Sequence, residues 1–234
     1  MKNIIQDKSK LVNSVFSQVH RKYDLMNDVM SLGIHRIWKK KLFDWMNPQI
    51  NNNLIDVASG TGDMAKLFSV RTNNSTDIFC VEPNDKMIKI GKSLLKNYKN
   101  IKWCQAKAEN LPIKDNTFDF YTISYGIRNV TNINSTLKEA YRVLRPGGRF
   151  MCLEFSKVDN EIINFLYQRY SKIIPFIGKY IVGTSKPYDY LVKSIDDFYD
   201  QETLKELIKK NGFINVEYRN LSNGISAIHS GWKI

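Results

Sequence analysis

The sequence predicts an α/β domain in which a mainly parallel, doubly wound sheet ends in a C-terminal antiparallel hairpin and is preceded by helices. Three observations carry this prediction. Short apolar runs alternate with helical patterns from residue 54 to residue 155, the rhythm of βαβ units. A glycine-rich loop follows the first apolar run, and an Asn-Gly pair joins the last two. With 234 residues, the chain can form one domain with a full core.

The chain opens with helical patterns. Apolar side chains recur at helical spacing within residues 12–19 and again within residues 38–46. Between them, Lys22–Arg36 is rich in Met, Tyr and Leu and is interrupted by Gly33. We therefore expect residues 1–50 to form a helical cap ahead of the first strand.

Strands and helices then alternate through residues 53–156, the predicted cofactor-binding core. Predicted strands cover Leu54–Ala58, Ile78–Glu82, Ile101–Gln105, Phe118–Ser124 and Arg149–Phe155. Helices are expected from about Asp63, around residues 87–95 and around residues 137–144. Pro146-Gly147-Gly148 predicts a tight turn into the fifth strand.

The alternation stops after residue 156. A helical pattern over residues 161–184 indicates a lid or substrate region within residues 157–200. Residues 201–234 should form a helix at Glu202–Asn211 and then a hairpin. The two hairpin strands are predicted at Ile214–Leu221 and Ile225–Trp232.

The bulk composition limits the function classes. Three cysteines lie singly in apolar runs without a CxxC pair, so we expect reduced core residues, with no disulfide and no metal ligands. Residues 1–10 lack the apolar stretch of a secretory signal, and Ile173–Val182 is too short to span a bilayer. These features predict a cytoplasmic protein.

The net charge of +12 leaves three explanations open: a nucleic-acid surface, an anionic membrane surface, or a general richness in lysine. The densest run is Lys39-Lys40-Lys41, within a predicted amphipathic helix. We expect this run to be a solvated helix face.

The loop after the first strand predicts a nucleotide-like cofactor. Asp56 ends the strand, Gly60 and Gly62 allow a tight turn and close approach of a ligand, and Asp63 begins a helix. Glu82 lies where an acid that binds ribose belongs. The glycines alone fit a nicotinamide cofactor, S-adenosylmethionine or a plain strand–helix turn. The C-terminal hairpin favours the class I methyltransferase fold, because dinucleotide dehydrogenases normally need a longer second domain.

Five segments together resemble one family, the ubiquinone/menaquinone biosynthesis C-methyltransferases of the UbiE/MenG type. The segments are Lys22–Arg36, Asp56–Asp63, Ile123–Val130, Arg142–Arg149 and Leu153–Ser156. They occur in the family's order, and the resemblance extends over nearly the whole chain. It implies a class I S-adenosylmethionine-dependent methyltransferase that needs no metal.

The resemblance also implies particular cofactor contacts. These fall on Thr61, Glu82, Lys107, Ala108 and Ser124, in addition to Asp56, Gly60 and Gly62 of the loop. Two positions depart from the family, which usually has Asp at position 82 and Asp or Asn at position 107. A side-chain contact from Lys107 to adenine is therefore in doubt, whereas a backbone contact at that position could survive.

The implied reaction is methylation of a ring carbon in a polyprenylated quinol, either 2-polyprenyl-6-methoxy-1,4-benzoquinol, demethylmenaquinol or both. A ring carbon becomes nucleophilic when a neighbouring hydroxyl loses its proton. Arg128 and Asn129, just past the fourth strand, are the predicted catalytic residues. The arginine charge would stabilise the phenolate, and the amide would orient the hydroxyl or a water molecule. The structural alternative is a loop salt bridge with a capping amide.

Other residues extend the predicted site. His35 and Tyr23 could lie over the pocket, and His20 and His229 have weaker cases. Aromatic residues between the fifth strand and the last helix could accept the prenyl tail or simply pack in the core. They are Tyr167, Tyr170, Phe176, Tyr180, Tyr188 and Tyr190.

Several alternatives stay open for partners and function. The chain could methylate another substrate such as RNA, although no amino-methylation motif or Pro-Cys nucleophile supports nucleic acid. It could instead be a cofactor-bound scaffold in a quinone-biosynthesis complex. Peripheral contact with the inner membrane surface and a homo-oligomer are further expectations.

Overall fold

The computed structural model describes residues 28, 31, 33–158, 160–165, 167, 169–170, 173–174 and 185–234. The predicted helix within residues 12–19 lies outside these residues, as do His20, Tyr23, Phe176 and Tyr180.

Strands and helices alternate in the predicted order. The strands are β1 (Leu54–Val57), β2 (Ile78–Val81), β3 (Ile101–Cys104), β4 (Phe118–Ser124), β5 (Leu144–Phe155), β6 (Ile214–Leu221) and β7 (Ser226–Trp232). The helices are α1 (His35–Met46), α2 (Asp63–Arg71), α3 (Asp85–Leu94), α4 (Ile133–Val143), α5 (Lys186–Asp196) and α6 (Gln201–Lys210), with a 3-10 turn at Ile127–Asn129.

Within the described residues, seven strands form one sheet in the order β3-β2-β1-β4-β5-β7-β6. The strands β1 to β5 pair in parallel, and β7 pairs antiparallel with both β5 and β6. This confirms the predicted parallel sheet and its terminal hairpin. The connection order reverses between β1 and β4, and open α/β sheets bind ligands outside the carboxyl ends of the strands at such a point.

The predicted turn at Pro146-Gly147-Gly148 lies within β5, which begins at Leu144 and not at Arg149 as predicted. These residues interrupt the pairing with β4, since the register shifts there, and Gly147 has a φ of 78°. Their backbone has strand-like partners: Gly147 N–H donates to the Lys233 carbonyl at 2.8 Å, and Lys233 N–H donates to the Gly148 carbonyl at 2.9 Å. Residues near the C-terminus therefore supply hydrogen bonds to β5 that the sequence around Pro146 does not predict.

Helix α5 lies within residues 157–200, predicted to form a helical lid, but beyond the helical pattern predicted at residues 161–184. Pro187 stands in its first turn, where the missing N–H costs no intrahelical bond. Tyr188, Leu191 and Ile195 then bury one face of the helix. The tyrosines at alternate positions in Tyr188-Asp189-Tyr190 obscured this periodicity in the sequence.

Apolar clusters cover both faces of the sheet. On one face, α1 contributes Leu42 and Phe43, both fully buried, and Trp38, whose ring packs edge-on against Phe155 at 6.3 Å. No helix in the described part of the chain is long and apolar enough to cross a bilayer.

Candidate active site

The loop between β1 and α2 adopts the tight conformation expected of its glycines. Gly60 and Gly62 have φ angles of 57° and 83°, which glycine adopts without a steric penalty. Gly62 N–H donates to the Ser59 carbonyl at 2.9 Å, and Ser59 N–H donates to the Val81 carbonyl at 3.1 Å. These bonds hold the loop against the end of β2.

Two residues without this freedom also have positive φ at the carboxyl ends of the central strands. Ala58 follows β1 with φ 53°, and Tyr125 follows β4 with φ 54°. Such conformations cost free energy in residues other than glycine and concentrate at functional sites. Both residues line the same pocket, so the strained backbone marks the functional end of the sheet.

The pocket encloses about 350 Å³ of space not filled by protein atoms, including space open to solvent. Its described lining comes from α1, from the end of β1, the β1–α2 loop and the start of α2, and from the end of β4. The lining residues are Lys39, Asp56, Ala58, Ser59, Gly60, Thr61, Asp63, Met64, Ser124 and Tyr125. Among the described residues, no group of three or more His, Cys, Asp or Glu side chains could hold a metal ion.

Asp56 gives the pocket a buried acid. Its side chain is 1% exposed, and one carboxyl oxygen accepts a hydrogen bond from the Thr122 hydroxyl at 2.7 Å. The other oxygen, Oδ2, is buried without a hydrogen-bond partner among the described residues. Burial raises the pKa of Asp56 to about 8. An unsatisfied buried acid at a pocket wall fits a cationic group on a ligand.

Glu82 fastens the glycine loop to the end of β2. Its Oε2 accepts from Gly60 N–H at 3.0 Å, and its Oε1 accepts from Asn84 N–H at 2.9 Å. Burial raises the pKa of Glu82 to about 7. Each carboxylate oxygen can accept more than one hydrogen bond, so these backbone bonds are compatible with hydroxyl donors from a ribose.

The structure brings together only part of the predicted cofactor set. Asp56, Gly60, Thr61 and Ser124 line the pocket. The other four predicted residues, Gly62, Glu82, Lys107 and Ala108, do not belong to the described lining. Lys107 is exposed after β3, and Ala108 is packed into one of the two apolar clusters.

Arg128 is buried in an ion pair beside the pocket. Its Nη1 lies 2.5 Å from Glu154 Oε1, and each side chain is 2% exposed. The same nitrogen donates to the Tyr125 carbonyl at 2.8 Å, and Nε donates to Ser194 Oγ of α5 at 3.4 Å. Burial raises the pKa of Glu154, while Arg128 counteracts that rise. The guanidinium therefore ties the 3-10 turn to β5 and α5.

Asn129 also contacts α5. Its Oδ1 accepts from the Tyr190 hydroxyl at 2.9 Å, and its Nδ2 donates to the Tyr125 carbonyl at 3.4 Å. Tyr190 is half-buried, whereas Tyr188 is fully buried in the core. Of these two tyrosines from the predicted aromatic lid, one reaches the predicted catalytic pair and the other packs.

His35 takes a structural position. It is 2% exposed, its Nδ1 lies 2.9 Å from Ser31 Oγ, and it lies 3.7 Å from Asp28. Burial, helped by the charge of Lys39, lowers the pKa of His35 to about 4. His229 is also buried, with Nε2 at 2.8 Å from the Gln201 carbonyl. Neither belongs to the described pocket lining.

Two further residues at the site, Lys39 and Glu154, were not predicted from the sequence. The predicted solvated face was wrong for Lys39, which is 5% exposed and pairs with Asp63, although Lys40 and Lys41 are exposed. Its spacing one residue from Trp38 and three from Leu42 placed it close to the buried face. Glu154 is the one charged residue in the apolar run 150–155 of β5, and an acid buried in such a run indicates a cation nearby.

Comparison with known proteins identifies the family. The family model described as the ubiE/COQ5 methyltransferase family matches residues 3–233. The chain belongs to the ubiE/COQ5 methyltransferase family. It is an S-adenosylmethionine-dependent methyltransferase, as the sequence resemblance predicted.

Similar proteins cover nearly the same length. The ubiquinone/menaquinone biosynthesis C-methyltransferase UbiE of Rickettsia bellii is 49% identical over 97% of this chain and 94% of its own. The mitochondrial 2-methoxy-6-polyprenyl-1,4-benzoquinol methylase of Dictyostelium discoideum is 44% identical over 98% of this chain and 83% of its own.

Solved structures support the fold. A SAM-dependent methyltransferase from Thermotoga maritima, named a possible histamine N-methyltransferase, has a TM-score of 0.65 at 21% identity, covering 95% of this chain and 99% of its own. A SAM-dependent methyltransferase from Aquifex aeolicus has a TM-score of 0.62 at 13% identity, covering 84% and 89%. The fold of the chain is therefore the class I methyltransferase fold, which is consistent with its family.

The pKa of Asp56 predicts how stability depends on pH. Folded Asp56 keeps its proton up to about pH 8, whereas in the unfolded chain it ionises near pH 4. Folded Asp56 thus binds more protons between these values, and its contribution to stability falls as pH rises through this window. From pH 6.5 to pH 8 we expect Asp56 to contribute a loss of stability of about 1 kcal/mol per pH unit, because its proton is half lost at pH 8.

Urea unfolding of the ligand-free protein at pH 6.5, 7.25 and 8 measures this slope. Asp56→Asn is the matched variant, because an amide keeps the acceptor for Thr122 but does not titrate. Its stability should fall less over the same window. His35 and His229 are neutral in the folded state but bind protons in the unfolded chain near pH 6.5, so their contribution to stability rises with pH in this window. This contribution is present in both proteins and cancels in the difference between their slopes. Equal slopes for the two proteins would contradict a raised pKa at Asp56.

Proposed function

We propose that this enzyme transfers the methyl group of S-adenosylmethionine to a ring carbon of a polyprenylated quinol in ubiquinone and menaquinone biosynthesis. The observation that carries the proposal is similarity along the whole chain to relatives named for this reaction, at 49% and 44% identity. Their names cover both quinone classes, so 2-polyprenyl-6-methoxy-1,4-benzoquinol and demethylmenaquinol are both candidate substrates.

Residues of the pocket lining and of the neighbouring strand ends hold the cofactor in this proposal. Bound S-adenosylmethionine supplies an electrophilic methyl group on a sulfonium. The glycine loop lets the backbone at Gly60 and Thr61 approach the ligand closely. Glu82 faces the ribose hydroxyls, while the backbone at Lys107 and Ala108 contacts the base. Ser124, whose hydroxyl is buried without a partner among the described residues, supplies a further polar contact.

Arg128 and Asn129 act on the quinol ring in this proposal. The ring carbon needs a neighbouring phenolate, and a fixed cation lowers the free energy of forming one. Arg128 stays protonated at ordinary pH, so it stabilises charge and does not accept the proton. Glu154 holds the guanidinium in place, because its Oε1 accepts from Arg128 Nη1 at 2.5 Å while its Oε2 accepts from the Arg128 backbone N–H at 3.4 Å.

Helix α5 sets the amide of Asn129 for this role. The Tyr190 hydroxyl donates to Asn129 Oδ1 at 2.9 Å, and Nδ2 uses one of its two hydrogens on the Tyr125 carbonyl at 3.4 Å. The second hydrogen is the one that acts on the substrate in this proposal. The helix thereby orders the turn after β4.

The lid region also supports peripheral contact with a membrane surface, where a prenylated substrate would reside. Ile162, Phe165 and Ile173 expose 72%, 58% and 54% of their surface, and the chain carries a net charge of +12. We expect the protein to float with vesicles rich in phosphatidylglycerol more than with phosphatidylcholine vesicles. Phe165→Asp should reduce flotation, and equal recovery with both vesicle types would contradict an electrostatic contribution.

Genetic complementation tests the proposed function. The gene is expressed in a bacterial strain that lacks ring C-methylation, and the quinones are identified by mass spectrometry. We expect the missing ring methyl group to return in ubiquinone, menaquinone or both. An Asp56→Lys variant controls for the cofactor pocket and should not restore it. A stably expressed wild-type protein that restores neither quinone would contradict the proposal.

A further inference from the structure

Helix α1 places a lysine at the cofactor pocket. The helix is fixed by its buried residues Leu42 and Phe43, both 0% exposed. Trp38 adds a hydrogen bond from Nε1 to Ser222 Oγ at 3.2 Å. The next residue, Lys39, lines the pocket with a side chain that is only 7% exposed. A lysine side chain is almost never this buried unless its charge is paired. Helix α1 therefore holds a paired ammonium group at the pocket.

Asp63 is the partner that holds the Lys39 ammonium. The two side chains form an ion pair, and Asp63 also accepts a hydrogen bond from Met64 N–H at 3.0 Å. Burial would raise the pKa of Asp63, but the charge of Lys39 lowers it overall. The Asp63 side chain is 43% exposed, so the carboxylate lies on the open side of the pair. An ammonium carries three donors, and its pairing with Asp63 is compatible with a second carboxylate.

The charges of the lining match the amino-acid end of the cofactor. Among the described residues that line the pocket, Lys39 is the one cationic side chain, and the acidic side chains are Asp56 and Asp63. The methionine end of S-adenosylmethionine carries one ammonium and one carboxylate. Oδ2 of Asp56 has no hydrogen-bond partner among the described residues and provides a place for the ammonium. A carboxylate next to it requires a cation on the same wall.

We propose that Lys39 binds the carboxylate of the methionine end of S-adenosylmethionine, with Asp63 as the positioning residue for its ammonium. The site is then completed by α1 of the N-terminal cap, and the loop after β1 alone is not sufficient for tight binding. Cofactor binding would fasten α1 over the pocket.

Calorimetric titration with two ligands tests this assignment. S-adenosylmethionine carries the carboxylate, and decarboxylated S-adenosylmethionine lacks it but keeps the ammonium. Wild-type protein should bind the complete cofactor about 10- to 100-fold more tightly, the range for a charge-assisted hydrogen bond. Lys39→Met should lose most of that preference while its affinity for the decarboxylated ligand changes less than about 3-fold. Lys40→Met, at an exposed neighbour on the same helix, should behave as wild type.

Two results would overturn the assignment. The first is similar affinity of the wild-type protein for both ligands, a result that does not depend on any variant. The other is a folded Lys39→Met protein that weakens both ligands equally, since a distorted pocket would do that. If Lys39→Met fails to fold by circular dichroism, Lys39→Gln keeps a donor for Asp63 and takes its place. All of these readouts measure binding, so they stand apart from whether the acceptor is a quinol.

Discussion

Arg128→Met is expected to lower turnover roughly 100- to 1,000-fold and to destabilise the protein by about 3–5 kcal/mol. The stability loss follows because Glu154, 1% exposed, would be left as a buried acid without its cation. The turnover loss follows if the guanidinium stabilises the phenolate. Chemical denaturation measures the first effect, and steady-state kinetics with a reduced quinol measures the second.

A second substitution separates the two effects. In Arg128→Met combined with Glu154→Gln, no charge stays buried and unpaired, so most of the lost stability should return. Turnover should remain low, because the cation is still missing, while affinity for S-adenosylhomocysteine stays near the wild-type value. Recovery of turnover together with stability would show that Arg128 is structural only.

An exposed ion pair provides the control. Lys102 lies 2.8 Å from Asp77, and their side chains are 55% and 62% exposed. Lys102→Met should cost less than about 1 kcal/mol, because exposed pairs contribute little. A comparable stability loss at Lys102 would show that the effect at Arg128 does not arise from burial.

Gly91→Ala is expected to weaken S-adenosylhomocysteine binding by at least about 10-fold and to lower stability by about 1–3 kcal/mol. A Cβ on Gly91 would lie 2.2 Å from Trp103 Cη2 and 3.0 Å from the Thr61 carbonyl oxygen. The same indole ring lies 2.9 Å from a Cβ built on Gly62. The Trp103 ring thus packs between Gly91 of α3 and Gly62 of the glycine loop. A methyl group at position 91 would displace this ring and, with it, the loop.

A paired substitution again tests the cause. Trp103→Leu removes the ring atoms that clash, so the double variant Gly91→Ala with Trp103→Leu should be less destabilised than the sum of the two single variants. Lys92→Ala, at an exposed position of α3, controls for helix propensity and should bind normally. Unchanged binding in folded Gly91→Ala would contradict support of the loop by Trp103.

The sequence predicted the parts of the fold that depend on local periodicity and turn chemistry. Phe118–Ser124 and Ile214–Leu221 have the predicted bounds, and the Asn-Gly pair forms the predicted hairpin turn. The prediction from sequence failed where residues far apart in the chain determine the structure. β5 extends back to Leu144 because β4 and the residues near Lys233 pair with it.

The site shows the same division. Asp56, Gly60, Thr61 and Ser124 lie together because the carboxyl ends of adjacent parallel strands share one edge. Pairing across the chain was hidden in the sequence, since Lys39 meets Asp63 and Arg128 meets Glu154 only after the helices and the sheet pack. A buried charge has no local sequence signature beyond its apolar neighbours.

Transfer of a labelled methyl group tests the central claim most directly. Purified protein is incubated with S-adenosylmethionine carrying a deuterated methyl group and with the demethylated quinols in reduced form, and the products are analysed by mass spectrometry. We predict that the label appears on a ring carbon of the quinol, in equal amount to the S-adenosylhomocysteine formed. Tight cofactor binding without label on either quinol ring would contradict the account.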